Sequence, residues 1–296
     1  MRIEFPDLKN QEKNTLYIIG NGFDLFHGIE SKYEDFYYWL NTNRYKDFAN
    51  DLLRVFPNLN CSPNYLWSNL EDAMGEYDLD QLYKDFYVPT GNRFWNPEGW
   101  KGTAIQIGLI CIKLPGLLKE WAKQIDISHT VQELDISKDS WYLTFNYTKL
   151  LEDTYAIPSS HICHIHGCAT DNEDVIVGHN RKEIVDHIYA NNDEEEFSKR
   201  EIAKVMNRFV KNIDDRIGDN HIFFDSLKQV SHVVVLGHSL SHIDLPYFYR
   251  VLNRIQHESN WHFAKHIGGN EIQINKFLEL VNKQKTIIRN RWIFNF

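Results

Sequence analysis

Cysteine is scarce. Cys61, Cys111, Cys163 and Cys168 are the four in 296 residues, too few for a disulfide framework to hold a chain of this size together. Basic charge is short as well: 32 Lys and Arg stand against 41 Asp and Glu, for a formal net charge of −9. Such a balance argues against a surface made for non-specific nucleic-acid binding. The local cluster Lys199, Arg200, Lys204, Arg208 and Lys211 reads instead as one face of a solvated helix. Long apolar runs are missing too. The longest, near Ile105 to Leu118, is broken by Lys113 and Pro115, and Met1 to Asn14 is polar, without an apolar targeting segment. The expectation is a cytoplasmic protein away from membranes.

What is present fits a folded enzyme-sized domain. Hydrophobic residues make up 43% and aromatics 14% of the chain, a composition that can bury a substantial core in one α/β domain. The stretch Leu16-Tyr17-Ile18-Ile19-Gly20-Asn21-Gly22-Phe23-Asp24-Leu25-Phe26-His27-Gly28 organises the rest. A short apolar run passes through Gly-Asn-Gly into a segment with helical spacing, so the local pattern is strand, tight turn, helix. Glycines at 20 and 22 allow a sharp turn and close approach of a ligand, and the N–H groups opening the helix favour a phosphate. Asp24, next to that turn, suits a ribose hydroxyl or a developing positive charge better than a phosphate.

Further on, Tyr33 to Leu40, Tyr45 to Phe56 and Leu66 to Tyr77 read as helices, the last with Glu71 at the edge of its apolar face. Val88 to Gly102, rich in Pro, Gly, Asn and Trp, reads as a lid or a packed surface loop. Thr103 to Ile125 reads as a long helix kinked or broken at Pro115. The acidic run Asp193 to Glu196 starts a helix that continues to about Ile213. Strands are expected at Trp141 to Phe145, Ile162 to Ile165, Val175 to Val177 and Val233 to Leu236, with an edge at Thr286 to Ile288 and Trp292 to Phe294. These runs suit parallel strands buried on both faces. The expected architecture is therefore an open, mostly parallel Rossmann-type sheet over 1–296, carrying helical insertions at 30–135 and 181–229. In such a sheet ligands bind beyond the carboxyl ends of the strands, which would gather Gly20-Asn21-Gly22, Asn146, His166-Gly167 and Gly237-His238-Ser239 at one crevice.

The order of these motifs resembles the bacteriophage abortive-infection AbiH family. The residues that carry the resemblance are Gly20 to Gly28 with Tyr33 and Asp35-Phe36, Phe145-Asn146-Tyr147-Thr148, His164-Ile165-His166-Gly167, and Gly237-His238-Ser239-Leu240 with Asp244 and Tyr247-Phe248. That family in turn resembles sirtuin-like NAD-binding defence proteins, in which a glycine loop, a Thr-x-Asn segment, a catalytic His-Gly and a late Gly-x-Ser follow in this order. The resemblance implies a sirtuin-like fold, NAD as substrate, and a partner protein of a defence system, a phage trigger or a homo-oligomer. It implies nucleotide contacts from Gly20, Asn21, Gly22, Phe23, Asp24, His27, Gly237, His238, Ser239 and Asp244. The chain departs from the pattern at three points: Gly-Asn-Gly replaces Gly-Ala-Gly, Thr148 stands where the pattern has Asp, and no pair of Cys-x-x-Cys motifs exists for the zinc ribbon of a deacetylase.

Cleavage of a nicotinamide–ribose bond passes through an oxocarbenium-like state that needs a nearby carboxylate and a base for the attacking water. His166 is the expected base, an imidazole that accepts a proton near neutrality. Asn146 would hold the carboxamide, the ribose hydroxyls or the water, and Asp24 or His27 would assist at the ribose. No metal is expected. Two other functions fit the same residues: a nucleotide-sensing or partner-binding module without catalysis, and a metal-dependent nuclease or phosphohydrolase using His164 and His166 with Asp24 or Asp244. Ser239 lacks the second glycine of a nucleophile elbow, and Asp244 reads as a helix cap or a ribose ligand.

Overall fold

A computed structural model describes residues 12–60, 70–86, 97–172, 175–265, 271–282 and 288–295. Six strands run β1 (Thr15–Ile19), β2 (Trp141–Thr144), β3 (Ile162–His164), β4 (His232–Leu236), β5 (Asn260–Lys265) and β6 (Ile288–Asn295). The helices are α1 (Asn21–Phe26), α2 (Tyr33–Thr42), α3 (Lys46–Val55), α4 (Leu70–Gly75), α5 (Leu79–Phe86), α6 (Pro97–Ala122), α7 (Leu150–Asp153), α8 (Asp193–Met206), α9 (Ile213–Asp219), α10 (His221–Ser226), α11 (Leu245–Leu252) and α12 (Glu271–Asn282).

All strands join one sheet in the order β3-β2-β1-β4-β5-β6, every neighbouring pair parallel. This is the order of doubly wound dinucleotide folds, whose direction of winding reverses between the first and fourth strands. Alternation along the strands sends successive side chains to opposite faces. On one face Leu16, Ile18, Leu143, Val233 and Val235 pack with Phe224, Tyr247, Phe248, Val251 and Phe277 from α10, α11 and α12. On the other, Tyr17, Ile19, Tyr142, Val234 and Leu236 pack with Phe23, Leu134, Leu151 and Tyr155. The central strands β1, β2 and β4 are thus buried on both sides, which is why they read as mostly apolar runs.

The chain divides into two compact units. The sheet unit comprises 1–31, 122–175 and 212–296, and the second unit comprises 32–121 and 176–211. Residues 122–135 and 212–229, inside the expected insertions, are thereby part of the sheet unit. Within the second unit α5 packs against α8, and the lysine Nζ of Lys199 lies 2.5 Å from Asp80 and 2.6 Å from Glu195. Lys211 is 2.7 Å from Glu71, its side chain wholly buried.

Several expectations need correction. Val175 to Val177 forms no strand; the nearby pairing is an isolated bridge between His179 and Val210. Residues 97–102 are not loop but the first turns of α6, and 88–96 lie outside the described residues. Helix α6 continues unbroken through Pro115. Helix α8 stops at Met206, and Lys199 and Lys211 are buried in ion pairs rather than arrayed on a solvated face. No helix among the described residues is long and apolar enough to cross a membrane.

Candidate functional site

Register brings the strand ends together. Ile19 pairs with Thr144 and with Leu236, and Thr144 pairs with His164. Two residues beyond those ends stand Asn21, Asn146, His166 and His238, one from each of four strands. They lie at the sheet end where dinucleotide folds take their ligand.

The glycines here stand against backbone. Gly20 N–H donates to Leu236 O at 2.9 Å and Gly22 N–H to Gly237 O at 2.8 Å. A Cβ on Gly20 would stand 2.6 Å from His238 Cα, and one on Gly237, whose φ is +66°, would stand 2.2 Å from Phe23 N. The turn after β1 and the turn after β4 therefore cross with no room for a side chain between them. Phe23 N–H donates to Gly20 O, so two of the first N–H groups of the six-residue α1, expected to meet a phosphate, already have partners. Asn21 is likewise engaged: its amide donates to Ser31 O at 3.0 Å, and Ser31 Oγ donates back to Asn21 Oδ1 at 2.6 Å. An alanine at position 21 could hold neither bond.

Asp24 sits under this turn, 1% exposed. Asn146 Nδ2 donates to its Oδ1 at 2.7 Å and Thr148 Oγ1 to its Oδ2 at 2.8 Å. Burial pushes the Asp24 carboxyl up to about 6, against the opposing pull of the Thr148 and Asn146 bonds and of nearby His164. The partner at position 148 has to be a donor. An aspartate there would set a second carboxylate beside Asp24, so threonine in place of Asp follows from Asp24 itself. Asn146 carries a further consequence. Since its Nδ2 serves Asp24, its orientation is fixed, and its Oδ1 is a buried acceptor without a hydrogen-bond partner.

The two histidines of the His-x-His motif part company. His164 Nδ1 donates to Asn146 O at 3.1 Å and its Nε2 lies 2.9 Å from Glu152 Oε1. His166 instead turns to Asp244, Nε2 to Oδ1 3.4 Å, and His238 Nε2 approaches the other carboxylate oxygen at 3.6 Å. Histidines 166 and 238 are 4% and 5% exposed and Asp244 6%. The Phe145 ring stands edge-on to both imidazoles, 5.0 Å from one and 4.3 Å from the other. Leu240 N–H donates to His238 Nδ1 at 2.9 Å, which assigns the proton of a neutral His238 to Nε2, toward Asp244. Asp244 occupies the N-cap position of α11 without capping it; the carboxylate expected at a helix N-terminus holds two histidines instead.

His27 and Phe23 lie elsewhere. His27 Nδ1–H donates to Phe23 O at 2.7 Å, and its Nε2 accepts from Tyr155 O–H at 2.6 Å, so both ring nitrogens are used within the fold. Burial holds the imidazole below its usual range. Phe23 is fully buried in the core beside that ring. Ser239 Oγ accepts from Ser241 N–H at 3.4 Å on the exposed side of the turn. Thr148, Glu152 and Tyr155, absent from the expected site, are thus as closely engaged as the residues in it. Thr148 alone had a signal, as the departure from an otherwise matching motif. Among the described residues no three His, Cys, Asp or Glu side chains converge to hold a metal ion.

A comparison with curated proteins finds no match. A family model, bacteriophage abortive infection AbiH, matches residues 16–265 and so takes in β1 from Leu16, β2 to β5 and every side chain of this site. The chain belongs to the bacteriophage abortive infection AbiH family.

Proposed function

We propose that this chain acts in phage defence by binding NAD or a related nucleotide beyond the ends of β1 to β4 and hydrolysing its nicotinamide–ribose bond. The observation that carries the proposal is the buried His166–Asp244–His238 array standing at the same sheet end as the Asn146–Asp24 pair. The motif order shared with sirtuin-like NAD-binding proteins supports it.

In this scheme the C–N bond to nicotinamide breaks with its electron pair leaving on the base, and Asp24 stabilises the positive charge left on the ribose. His166 takes a proton from the water that attacks the anomeric carbon, and Asp244 stabilises the imidazolium so formed. The products are nicotinamide, ADP-ribose and one proton. The unpartnered Asn146 Oδ1 meets an N–H of the nicotinamide carboxamide. Nicotinic acid adenine dinucleotide, which offers a carboxylate there, should bind at least about tenfold more weakly than NAD.

A second reading is favoured by one observation: the N–H groups of Gly22 and Phe23 are already bonded, leaving a phosphate fewer donors than a dinucleotide-cleaving site usually gives. In that reading the chain senses a nucleotide and relays the signal to a partner without turnover. A time course of NAD with the wild type and His166→Ala, following nicotinamide and ADP-ribose by chromatography, separates the two. Decay with the wild type alone supports hydrolysis at this site. No decay with either, at high protein concentration and with infected-cell extract added, overturns hydrolysis, and calorimetric binding of intact NAD then supports the sensor.

A further inference from the structure

Helix α6 is apolar on two opposite sides. Ala104, Ile107, Cys111, Leu114 and Leu118 are buried on one. At about 100° per residue, Ile105, Leu109 and Ile112 fall on the other, and there they are 57%, 53% and 67% exposed. Gly102 and Gly116 continue that row at its two ends, and a Cβ on either would meet nothing within 4 Å. The row therefore steps by three, four, three and four residues, the spacing of a coiled-coil seam. From Gly102 to Ile112 the sequence carries no charged residue, in a chain that is 25% charged overall. A helix apolar on two sides is ordinarily covered on both.

We infer that two copies of the chain pair through this row, with their α6 helices antiparallel about a twofold axis at Leu109. The row is symmetric about that residue to within one position: Ile105 of one copy meets Ile112 of the other, Gly102 meets Gly116, and Leu109 meets itself. A surface that is complementary to itself is what a twofold interface requires. Each copy carries a net −9, so two copies can meet only where no carboxylates oppose each other, and the row from Gly102 to Ile112 carries none. The three side chains leave on the order of 100 Å² exposed apiece, so six of them cover roughly 600 Å², about half of what a stable interface buries. The glycines at both ends allow the two helices, each about 39 Å long, to close in along the row.

Sedimentation and light scattering on the full chain test the pairing. The wild type is expected to be a dimer at micromolar concentration and Leu109→Glu a monomer, with circular dichroism unchanged and a melting temperature that no longer rises with protein concentration as the wild type's does. Single cysteines then fix the geometry. Oxidised Leu109→Cys, lying on the axis, should give a covalent dimer, whereas Ile112→Cys should cross-link to Ile105→Cys in a mixture and not to itself. A monomeric wild type, a dimer indifferent to Leu109→Glu, or self-cross-linking of Ile112→Cys overturns the inference. So does a monomer that floats with anionic lipid vesicles through this row, which would make the row a membrane face.

Discussion

Asp24 carries its charge at neutral pH against the preference of its surroundings. Its carboxyl titrates at about 6 in the folded chain instead of near 3.8, so the fold favours the protonated form. The stability this contributes is complete below about pH 3.8 and is lost as pH rises through 6. Asp24→Asn is therefore expected to raise stability at pH 7.5 by on the order of 1–3 kcal/mol, a gain that fades by pH 4 and is checked by urea denaturation across that range. Hydrolysis, if it uses the ionised Asp24, should run the other way, its rate rising through pH 6 and the limb vanishing in the variant. Tyr155 is a different kind of residue. Its hydroxyl donates to His27 and accepts from Leu134 N–H, so Tyr155→Phe leaves two buried groups unpaired and should cost about 1–3 kcal/mol in thermal unfolding. The sequence made Asp24, Asn146 and His166 visible because their residue types carry recognisable chemistry at strand ends. Asp244 was visible as a helix cap, a ribose ligand or a metal ligand beside His166, and not as a carboxylate shared by His166 and His238, since nothing in a linear chain tells whether a carboxylate at a helix start turns toward the backbone or toward distant histidines.

The glycine turns show the same ambiguity one level up. Gly20 and Gly22 have to be glycine whether a phosphate or another turn approaches them, and here it is the turn of Gly237. Gly237→Ala should destabilise the fold by at least about 3 kcal/mol, since both its φ of +66° and the 2.2 Å clash with Phe23 N fall on backbone that cannot yield. Denaturation monitored by circular dichroism checks it. Strands β1, β2 and β4 were legible because burial on both faces leaves mostly apolar runs. The alternating Asn260-Trp261-His262-Phe263 of β5 went unread: His262 is 3% exposed, yet histidine interrupts the apolar signal. Val175 to Val177 misled for the reverse reason. Three apolar residues in a row imitate a strand, whereas here the chain is passing from one compact unit to the other, between Val175 and Ile176.

At the scale of the whole molecule, the second unit is assembled from two separate lengths of chain, and the Lys211–Glu71 pair ties one to the other. Lys211→Ala should cost about 3–5 kcal/mol by taking the buried cation from Glu71, and the double variant Lys211→Met with Glu71→Leu should cost less than either charge removed alone; urea midpoints of the four proteins decide it. The division into units could not be read from composition, because no Pro- or Gly-rich linker marks the crossings. The strand order has one more consequence. β1 lies between β2 and β4, so a segment complete at residue 19 must wait for residue 141 to gain its first neighbour and for residue 232 to gain its second. At a ribosome's pace of about 5–20 residues per second, that is roughly 6–24 s in which Thr-Leu-Tyr-Ile-Ile hangs from the emerging chain with both edges open, and roughly 10–40 s before the second edge closes. The central strand of the finished sheet is, during synthesis, the segment most in need of a chaperone.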